Sequence, residues 1–190
     1  PMADISAAAV KSLRERTGLP MMDCKKALQE ANGDEQTAID LLRKAGKKTM
    51  DKRSDRETST GRVAIYTDMD APVGAMIELL CESAPVANND QFVALANDLA
   101  RQLATGPGAA SADELLDQPS PSDGSTTLRQ MFDDLNNRIR EVFRLRRIIR
   151  IDAPCGGYVH HNGGVGVLLE VEGDNAELAK DICMHVAAMR

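Results

Sequence analysis

Few side chains in this sequence are spaced for catalysis. It contains no glycine-rich phosphate loop, no GxSxG nucleophile elbow and no HExxH metal motif. Cysteine and histidine come together twice, at Cys155 with His160 and His161, and at Cys183 with His185. A zinc site needs tighter paired spacing, such as CxxC with HxxxH, and residues two apart on a helix do not share a face. The histidines at the hairpin tip are therefore expected to be surface or interface groups, and we expect neither a metal nor a cofactor.

An unusual apolar segment precedes one of the predicted helices. In the run TGLPMMDCKK, the side chains of Leu19, Met21 and Met22 come before the helix and largely outside its buried stripe. Apolar side chains at a helix entrance either pack onto the helix bundle as a staple or form an exposed docking spot. Methionine adapts to many partner surfaces, which suits the second interpretation. The spacing alone leaves both interpretations open.

Arginines are concentrated over one stretch in the second half of the chain. They could contact phosphates or an acidic partner, or they could form a solvated face beside the apolar positions Ile139, Phe143 and Leu145. We favour the solvated face. The arginines are Arg138, Arg140, Arg144, Arg146, Arg147 and Arg150.

The composition limits the class of protein. The chain has 190 residues, of which 43% are hydrophobic, so a folded core is expected. Aromatic residues make up 3% and tryptophan is absent, which argues against a base-stacking platform or a sugar-binding groove. The net charge is −6, divided into +3 over residues 1–53 and −9 over the remainder, so a nucleic-acid coat protein is disfavoured.

Cellular location is also suggested by the composition. The four cysteines are scattered without a CxxC pair, which is typical of reduced thiols in the cytosol. The N-terminal residues 1–6 have no apolar signal core, and no run of about 20 apolar residues could span a membrane. We therefore expect a cytoplasmic protein that does not contact membranes.

Residues 5–46 predict three short amphipathic helices. The first is expected to end near Gly18, whereas Asp34 is the expected N-cap of the third and Gly46 its C′ residue. Helices this short bury little surface alone, so they should close into a small bundle. A charged linker with a helical start is expected over 47–60. The second and third helices carry apolar stripes at Cys24, Ala27, Leu28 and Ala31, and at Ala38, Leu41, Leu42 and Ala45.

The next block predicts a β-hairpin followed by helices. Alternating apolar residues mark strands around Val63–Ile65 and over 73–79, and 83–90 reads as a polar loop. A surface loop is expected over 105–125, with a further helix over 128–143. The helix before that loop carries the stripe Phe92, Leu95, Ala96, Leu99 and Leu103.

The last block predicts a similar arrangement. A strand is expected over 145–151, a hairpin over 157–160 and 165–171 with its turn at 162–164, and a helix over 176–189. The inward residues expected for that helix are Leu178, Ile182, Val186 and Met189.

Two segments of the last block repeat letters of the earlier one. VGAMIEL at 73–79 parallels VGVLLEV at 165–171, and LANDL at 95–99 parallels LAKDI at 178–182. Two such units predict an internal duplication, although similarity between unrelated hairpin–helix units remains the alternative. The fold class is therefore α+β, with antiparallel strands and packed helices after the helical module.

Three runs resemble one protein family. The run RERTGLPMMDCKKALQEANGDEQTAIDLLRKAG, at 14–46, resembles the N-terminal module of bacterial elongation factor Ts, although the family usually has small residues at Leu19 and Pro20. The run at 156–189, which contains MHVAA, and the run IELLCES with VANNDQFVALANDLA resemble the core of that family. The resemblance implies a short form of the family, without the long C-terminal coiled-coil extension that some members have.

The resemblance implies a domain organisation. It predicts a UBA-like three-helix module over 2–46, the linker over 47–60, and core subdomains over 61–143 and 144–190, the second of them truncated. Such a shortened core exposes a strand edge, which predicts pairing with a second copy of the chain.

The resemblance also implies a function without bond chemistry. The family binds elongation factor Tu and promotes release of GDP, a step of protein biosynthesis called guanine nucleotide exchange. On this chain the family's partner-binding residues correspond to Met21, Met22, Lys25 and His161. No direct contact with nucleic acid is expected.

One functional segment departs from the family pattern. The family disturbs the Mg²⁺ and phosphate region of its partner with a Thr-Asp-Phe-Val run, where this chain has Ser83, Ala84, Pro85 and Val86. The aspartate and phenylalanine are replaced, although Pro85 could act as a rigid apolar knob. The family's Ile-Gly-Glu-Asn run is also altered, to the sequence at 139–142. The alternative function is therefore a binding module for elongation factor Tu, or a relative of it, that does not accelerate exchange.

Overall fold

The fold is α+β, as predicted. The computed structural model describes residues 5–189, so the start of the predicted module at 2–4 lies outside the described residues. The helices are α1 (Ala7–Thr17), α2 (Met21–Glu30), α3 (Glu35–Asp51), α4 (Ala84–Ala87), α5 (Asp90–Thr105), α6 (Ala112–Leu116), α7 (Leu128–Ile139) and α8 (Ala176–Ala188). The strands are β1 (Thr60–Asp68), β2 (Val73–Cys81), β3 (Arg144–Ile151), β4 (Cys155–Val159) and β5 (Gly166–Glu170).

The chain divides into two compact units. The first contains residues up to Arg56 together with Asp133–Val142, and the second contains Glu57–Phe132 together with the residues from Phe143 onward. Helix α7 thus contributes residues to both units. The four-part division expected from the sequence stays a prediction.

The helices of the first unit pack around most of the predicted stripes, although Ala45 of the α3 stripe is exposed. Helix α1 ends at Gly18, whose φ of 67° is the left-handed conformation that glycine adopts readily. The carboxylate of Asp34 accepts a hydrogen bond of 2.7 Å from the Thr37 backbone N–H, which confirms the predicted N-cap of α3. The buried cluster consists of Val10, Leu13, Cys24, Ala27, Leu28, Ala31, Ala38 and Leu42.

The predicted end of α3 at Gly46 is wrong, because the helix continues to Asp51. Gly46 is buried within the helix, and a Cβ placed there would collide with the side chain of Asn137. The Asn137 amide donates to the Leu42 carbonyl oxygen at 3.3 Å. Gly46 therefore allows close approach of an amide side chain and does not terminate the helix.

A three-stranded antiparallel sheet forms the centre of the second unit. Its order is β1-β2-β3, and the hairpin of β1 and β2 confirms the first predicted strand pair. Helix α5 packs against β1 and β2. Strand β2 alternates accordingly, with Ala75, Ile77 and Leu79 fully buried and Met76 and Glu78 half-buried on the opposite face.

Three predicted segments have different boundaries. The expected polar loop at 83–90 contains the short helix α4, and the expected surface loop at 105–125 contains α6. The helix expected over 128–143 ends at Ile139, because Arg140 adopts a φ of 65° and leaves the helical conformation.

The last block also differs from its prediction. Strand β3 pairs with β2 in the first sheet, whereas β4 and β5 form a separate two-stranded hairpin. The inward face predicted for α8 is wrong, since its predicted inward residues are exposed and Ala179 and Cys183 are buried instead. Gly156 of β4 lies so close to α8 that an added Cβ would stand 2.7 Å from the Ala179 carbonyl oxygen. Small residues therefore form this contact, and the large ones face solvent.

Candidate interaction surfaces

The entrance to α2 combines a tight turn with two exposed methionines. The Thr17 hydroxyl donates to the Leu13 carbonyl oxygen at 2.8 Å and accepts from the Leu19 N–H at 3.3 Å. Leu19 is half-buried against the helical cluster, whereas Met21 and Met22 are 49% and 60% exposed. The two interpretations left open by the sequence therefore apply to different residues: Leu19 packs onto the bundle, and the methionines form the exposed spot.

Lys25 extends this exposed spot with a positive charge. It lies four residues after Met21 and three after Met22 on the same helix, spacings that place side chains on one helix face. Its side chain is exposed. We call Met21, Met22 and Lys25 the α2 patch; it offers adaptable apolar surface beside a cation.

Helix α7 and the following residue, Arg140, form hydrogen bonds with α2 and α3 within the first unit. The guanidinium of Arg140 donates to the Asp23 carboxylate at 3.2 Å, in the first turn of α2. The carbonyl oxygen of Arg140 in turn accepts from Arg53 Nη1 at 2.8 Å. Arg43 holds the same segment through two hydrogen bonds of 2.9 and 2.8 Å to Asp134, and this carboxylate raises the pKa of Arg43. Arg140 and α7 are thus held to the first turn of α2 and to α3 and the residues after it at several points.

The segment from Ser83 to Val86 forms a compact helical turn. Ser83 is the N-cap of α4, Pro85 lies in its first turn, and the Ser83 carbonyl oxygen accepts from the Ala87 N–H at 3.1 Å. Ala84 and Pro85 are exposed, whereas Ala87 is buried and its carbonyl oxygen accepts from Arg62 Nη1 at 2.9 Å. The turn therefore presents a proline ring to solvent from an anchored base.

His161 lies at the tip of the second hairpin. It is exposed, and its ring centroid is 4.2 Å from that of His160, whose Nδ1 lies 3.0 Å from the Tyr158 hydroxyl. Gly163 closes the turn with a φ of 72°, and its carbonyl oxygen accepts from the Val63 N–H at 2.8 Å. A backbone hydrogen bond to β1 thus positions this imidazole pair.

Cys155 and Cys183, two of the three buried cysteines of the second unit, are poorly reactive. Burial raises the pKa of both Cys155 and Cys183, which disfavours the thiolate. In the part of the chain from 5 to 189, no group of three or more His, Cys, Asp or Glu side chains is placed to hold a metal ion.

The arginine stretch is largely engaged in internal contacts. Arg147 Nε donates to Glu78 at 2.8 Å, and this carboxylate raises the pKa of Arg147. Arg146 contacts the same carboxylate at 3.5 Å. Arg150 donates to the Leu103 and Gly106 carbonyl oxygens. These partners were not expected from the sequence, because only the pairing of β3 with β2 brings Arg147 opposite Glu78.

These features define a protein whose candidate sites are exposed surfaces rather than enclosed cavities, on an α+β fold. Comparison with known proteins is consistent with that class. A family model described as "Elongation factor TS" matches residues 82–190. The chain belongs to the elongation factor Ts family.

Similar proteins cover nearly the whole chain. Elongation factor Ts of Thioalkalivibrio sulfidiphilus is 41% identical over 189 residues, which is 98% of this chain and 63% of that protein. Elongation factors Ts of Clostridium botulinum and Clostridium acetobutylicum are each 40% identical over 192 residues, which is 97% of this chain and 62% of those proteins. The chain thus spans somewhat less than two thirds of the length of these relatives. No helix within residues 5–189 is both long and apolar enough to cross a membrane.

Proposed function

We propose that this chain binds elongation factor Tu and promotes release of its GDP. Family membership supports this function, and the observation that carries it is the exposure of Met21 and Met22 beside Lys25. Exposing methionine side chains to water is unfavourable, so a surface that places them beside a cation is suited to a protein partner. We further propose that this takes place in the cytoplasm, where the four free cysteines would stay reduced.

Exchange requires a difference in affinity between two states of the partner. A factor that binds the empty and GDP-bound forms equally shifts nothing, however tightly it binds. By reciprocity, the presence of GDP must weaken the factor's own binding by the same ratio. In this proposal the α2 patch and His161 provide affinity, and the α4 turn carries the contacts that disturb the Mg²⁺ and phosphate region. No covalent bond is made or broken.

A binding module without exchange activity is the second candidate function. The observation that favours it is the exposed Ala84–Pro85 pair, which supplies neither the carboxylate nor the aromatic ring of the family's run. A small apolar group leaves part of an aromatic pocket unfilled, and in protein cores that substitution typically loses about 3–5 kcal/mol. The α2 patch would support both candidates equally.

Stopped-flow release of a fluorescent GDP from the cognate elongation factor Tu distinguishes them. The exchange factor raises the release rate to a plateau as its concentration increases. A chain that binds with no change in release rate is the binding module. Calorimetry with the empty and GDP-bound forms gives an independent check, because equal affinity for both would exclude exchange activity.

A further inference from the structure

One arginine side chain joins two of the surfaces that the proposed function uses. Arg62 lies on β1, and its Nη1 donates to the Ala87 carbonyl oxygen at 2.9 Å, at the end of α4. The same side chain runs across Gly163, in the turn of the second hairpin that also carries His161. Arg62 thus contacts both the α4 turn and the hairpin tip, and all of these residues belong to the second unit.

The alternation of side chains along β1 explains why Arg62 reaches the α4 turn. Arg62 lies directly opposite Leu79, which is fully buried on the face of the sheet that α5 covers. Residues directly opposite each other in an antiparallel pair share a face, so the Arg62 side chain leaves β1 on the α5 side. Leu79 is two residues before the end of β2, and the chain then enters α4. Arg62 is therefore placed beside the base of the α4 turn.

The hydrogen bond from Arg62 satisfies a carbonyl group at the end of α4. The last carbonyl groups of a helix have no partner within the helix. Backbone N–H groups at the end of the turn, those of Ala87, Asn88 and Asn89, donate to the carbonyl oxygens of Ser83, Ala84 and Val86. The carbonyl oxygen of Ala87, a residue that is only 4% exposed, accepts from the guanidinium instead. Because a buried acceptor without a donor is costly, this hydrogen bond stabilises the turn in its present position.

The contact with the hairpin tip depends on a glycine. A Cβ placed at Gly163 would stand 2.9 Å from Cζ and Nη2 of Arg62, so any side chain there would displace the guanidinium. The Gly163 N–H donates to the His160 carbonyl oxygen at 2.8 Å, which closes the turn around His161. The absence of a side chain thus lets Arg62 lie against the backbone that carries the imidazole pair.

Two surfaces that act on one partner must be presented at a fixed spacing. A partner that is bound at His161 meets Pro85 in a productive position only if the α4 turn does not shift relative to the hairpin tip. Contacts that are held in place before binding need no ordering when the complex forms, so less of their interaction energy is lost. Arg62 meets this requirement because a single side chain contacts both elements.

We propose that Arg62 is a positioning residue for nucleotide exchange. It fixes the α4 turn relative to the hairpin tip, so that a partner held at His161 meets Pro85 in one place. The inference rests on the proposed function and adds to it a residue that acts through the turn.

The first test measures GDP release from elongation factor Tu with the full chain and its variants. Arg62→Met keeps the apolar stem and removes the guanidinium, so the plateau rate should fall by about threefold or more, with a smaller change in the half-maximal concentration. Arg62→Lys keeps a cationic donor and should recover part of this loss. Arg150→Met is the matched control: Arg150 also donates to backbone carbonyl oxygens where a helix ends, those of Leu103 and Gly106 at α5, and its substitution should leave the plateau unchanged.

A double-mutant cycle separates positioning from general stability. Pro85→Ala should lower the plateau in the wild-type background but little further in Arg62→Met, because a displaced turn no longer presents the proline. In the Arg150→Met background, Pro85→Ala should lower the plateau as much as in the wild type. Effects of Arg62→Met and Pro85→Ala that simply multiply would overturn the proposal.

Amide hydrogen exchange tests the position of the turn without the partner. The N–H groups of Ala87 and Asn88 should exchange faster in Arg62→Met than in the wild type or in Arg150→Met, since their hydrogen bonds lie within the turn. Unchanged protection of these two amides would overturn the proposal. If the wild-type chain leaves GDP release unchanged, the proposed function fails, whereas the hydrogen-exchange data decide separately whether Arg62 holds the turn.

Discussion

Arg140 shows how one residue combines backbone strain with a useful side chain. Its φ of 65° is left-handed, a conformation that costs an L-residue roughly 1–2 kcal/mol and costs glycine very little. The family's Ile-Gly-Glu-Asn run, which the sequence at 139–142 resembles, has glycine where this chain has Arg140. Arginine thus occupies a backbone conformation that favours glycine, and its side chain makes the contact with Asp23.

Substitutions at Arg140 separate these two effects. Arg140→Gly and Arg140→Ala both remove the guanidinium, but only glycine suits the left-handed backbone. We expect the glycine variant to be more stable than the alanine variant by about 1 kcal/mol, measured by urea unfolding. Equal stability of the two variants would show that the backbone is not strained at this position.

Whether the substitution Gly46→Ala stabilises or destabilises the chain depends on the neighbouring side chain of Asn137. In an ordinary helix interior, Gly→Ala stabilises by about 1 kcal/mol. Here the added Cβ would collide with Asn137, so Gly46→Ala should destabilise the chain by about 1–3 kcal/mol. In an Asn137→Ala background the same substitution should become stabilising. A double-mutant cycle by thermal unfolding measures this reversal, and a sign that stays the same in both backgrounds would contradict the close contact.

Two predicted helix ends, at Gly18 and Asp34, are confirmed because they depend on local chemistry, whereas the cap predicted at Gly46 is not, because a distant side chain decides what that glycine does. Asp34 caps α3 through the Thr37 N–H, and the hydrogen bonds from Thr37 lower the pKa of Asp34. A carboxylate with a lowered folded-state pKa stabilises the fold above its unfolded-state pKa, and this contribution disappears as pH falls through the folded-state value. The first unit should therefore lose stability in acid partly through this cap.

An Asp34→Ser variant tests this pH dependence. Serine retains a capping oxygen but does not titrate, so its unfolding midpoint should fall less between pH 7 and about pH 3 than that of the wild type. Asp34→Ala should be less stable at pH 7 and also show the smaller pH dependence. Urea unfolding followed by circular dichroism measures all three, and identical pH profiles would exclude the cap as a source.

Periodicity predicted the elements better than it predicted their neighbours. The stripe of α5 is buried as expected, but the matching stripe of α8 is exposed, because periodicity marks a helix face and does not show what covers it. Likewise, the sequence predicted a strand over 145–151 but could not assign it to β2 rather than to the following hairpin. At the α2 entrance the sequence could not tell a staple from a docking spot, since the answer differs between Leu19 and the two methionines.

The residues proposed to provide affinity and the residues proposed to drive exchange lie in different compact units of the molecule. The α2 patch lies in the first unit, whereas Pro85 lies in the second. Interactions that strengthen binding equally in every state of a partner change the concentration needed, and only those that differ between states change the maximal rate. The two sets of residues should therefore alter different parameters of GDP release.

The combined variant Met21→Ala with Lys25→Glu should raise the concentration for half-maximal GDP release from elongation factor Tu by about tenfold or more, because truncating a central interface residue typically costs over 1 kcal/mol. Its plateau rate should stay near that of the wild type. Pro85→Ala should lower the plateau and leave the half-maximal concentration nearly unchanged. Met184→Ala, which removes a comparably exposed methionine from α8, should alter neither parameter. A combined variant with wild-type half-saturation would remove the α2 patch from the interface, and an unaltered plateau in Pro85→Ala would assign the displacement of GDP to residues other than the proline knob.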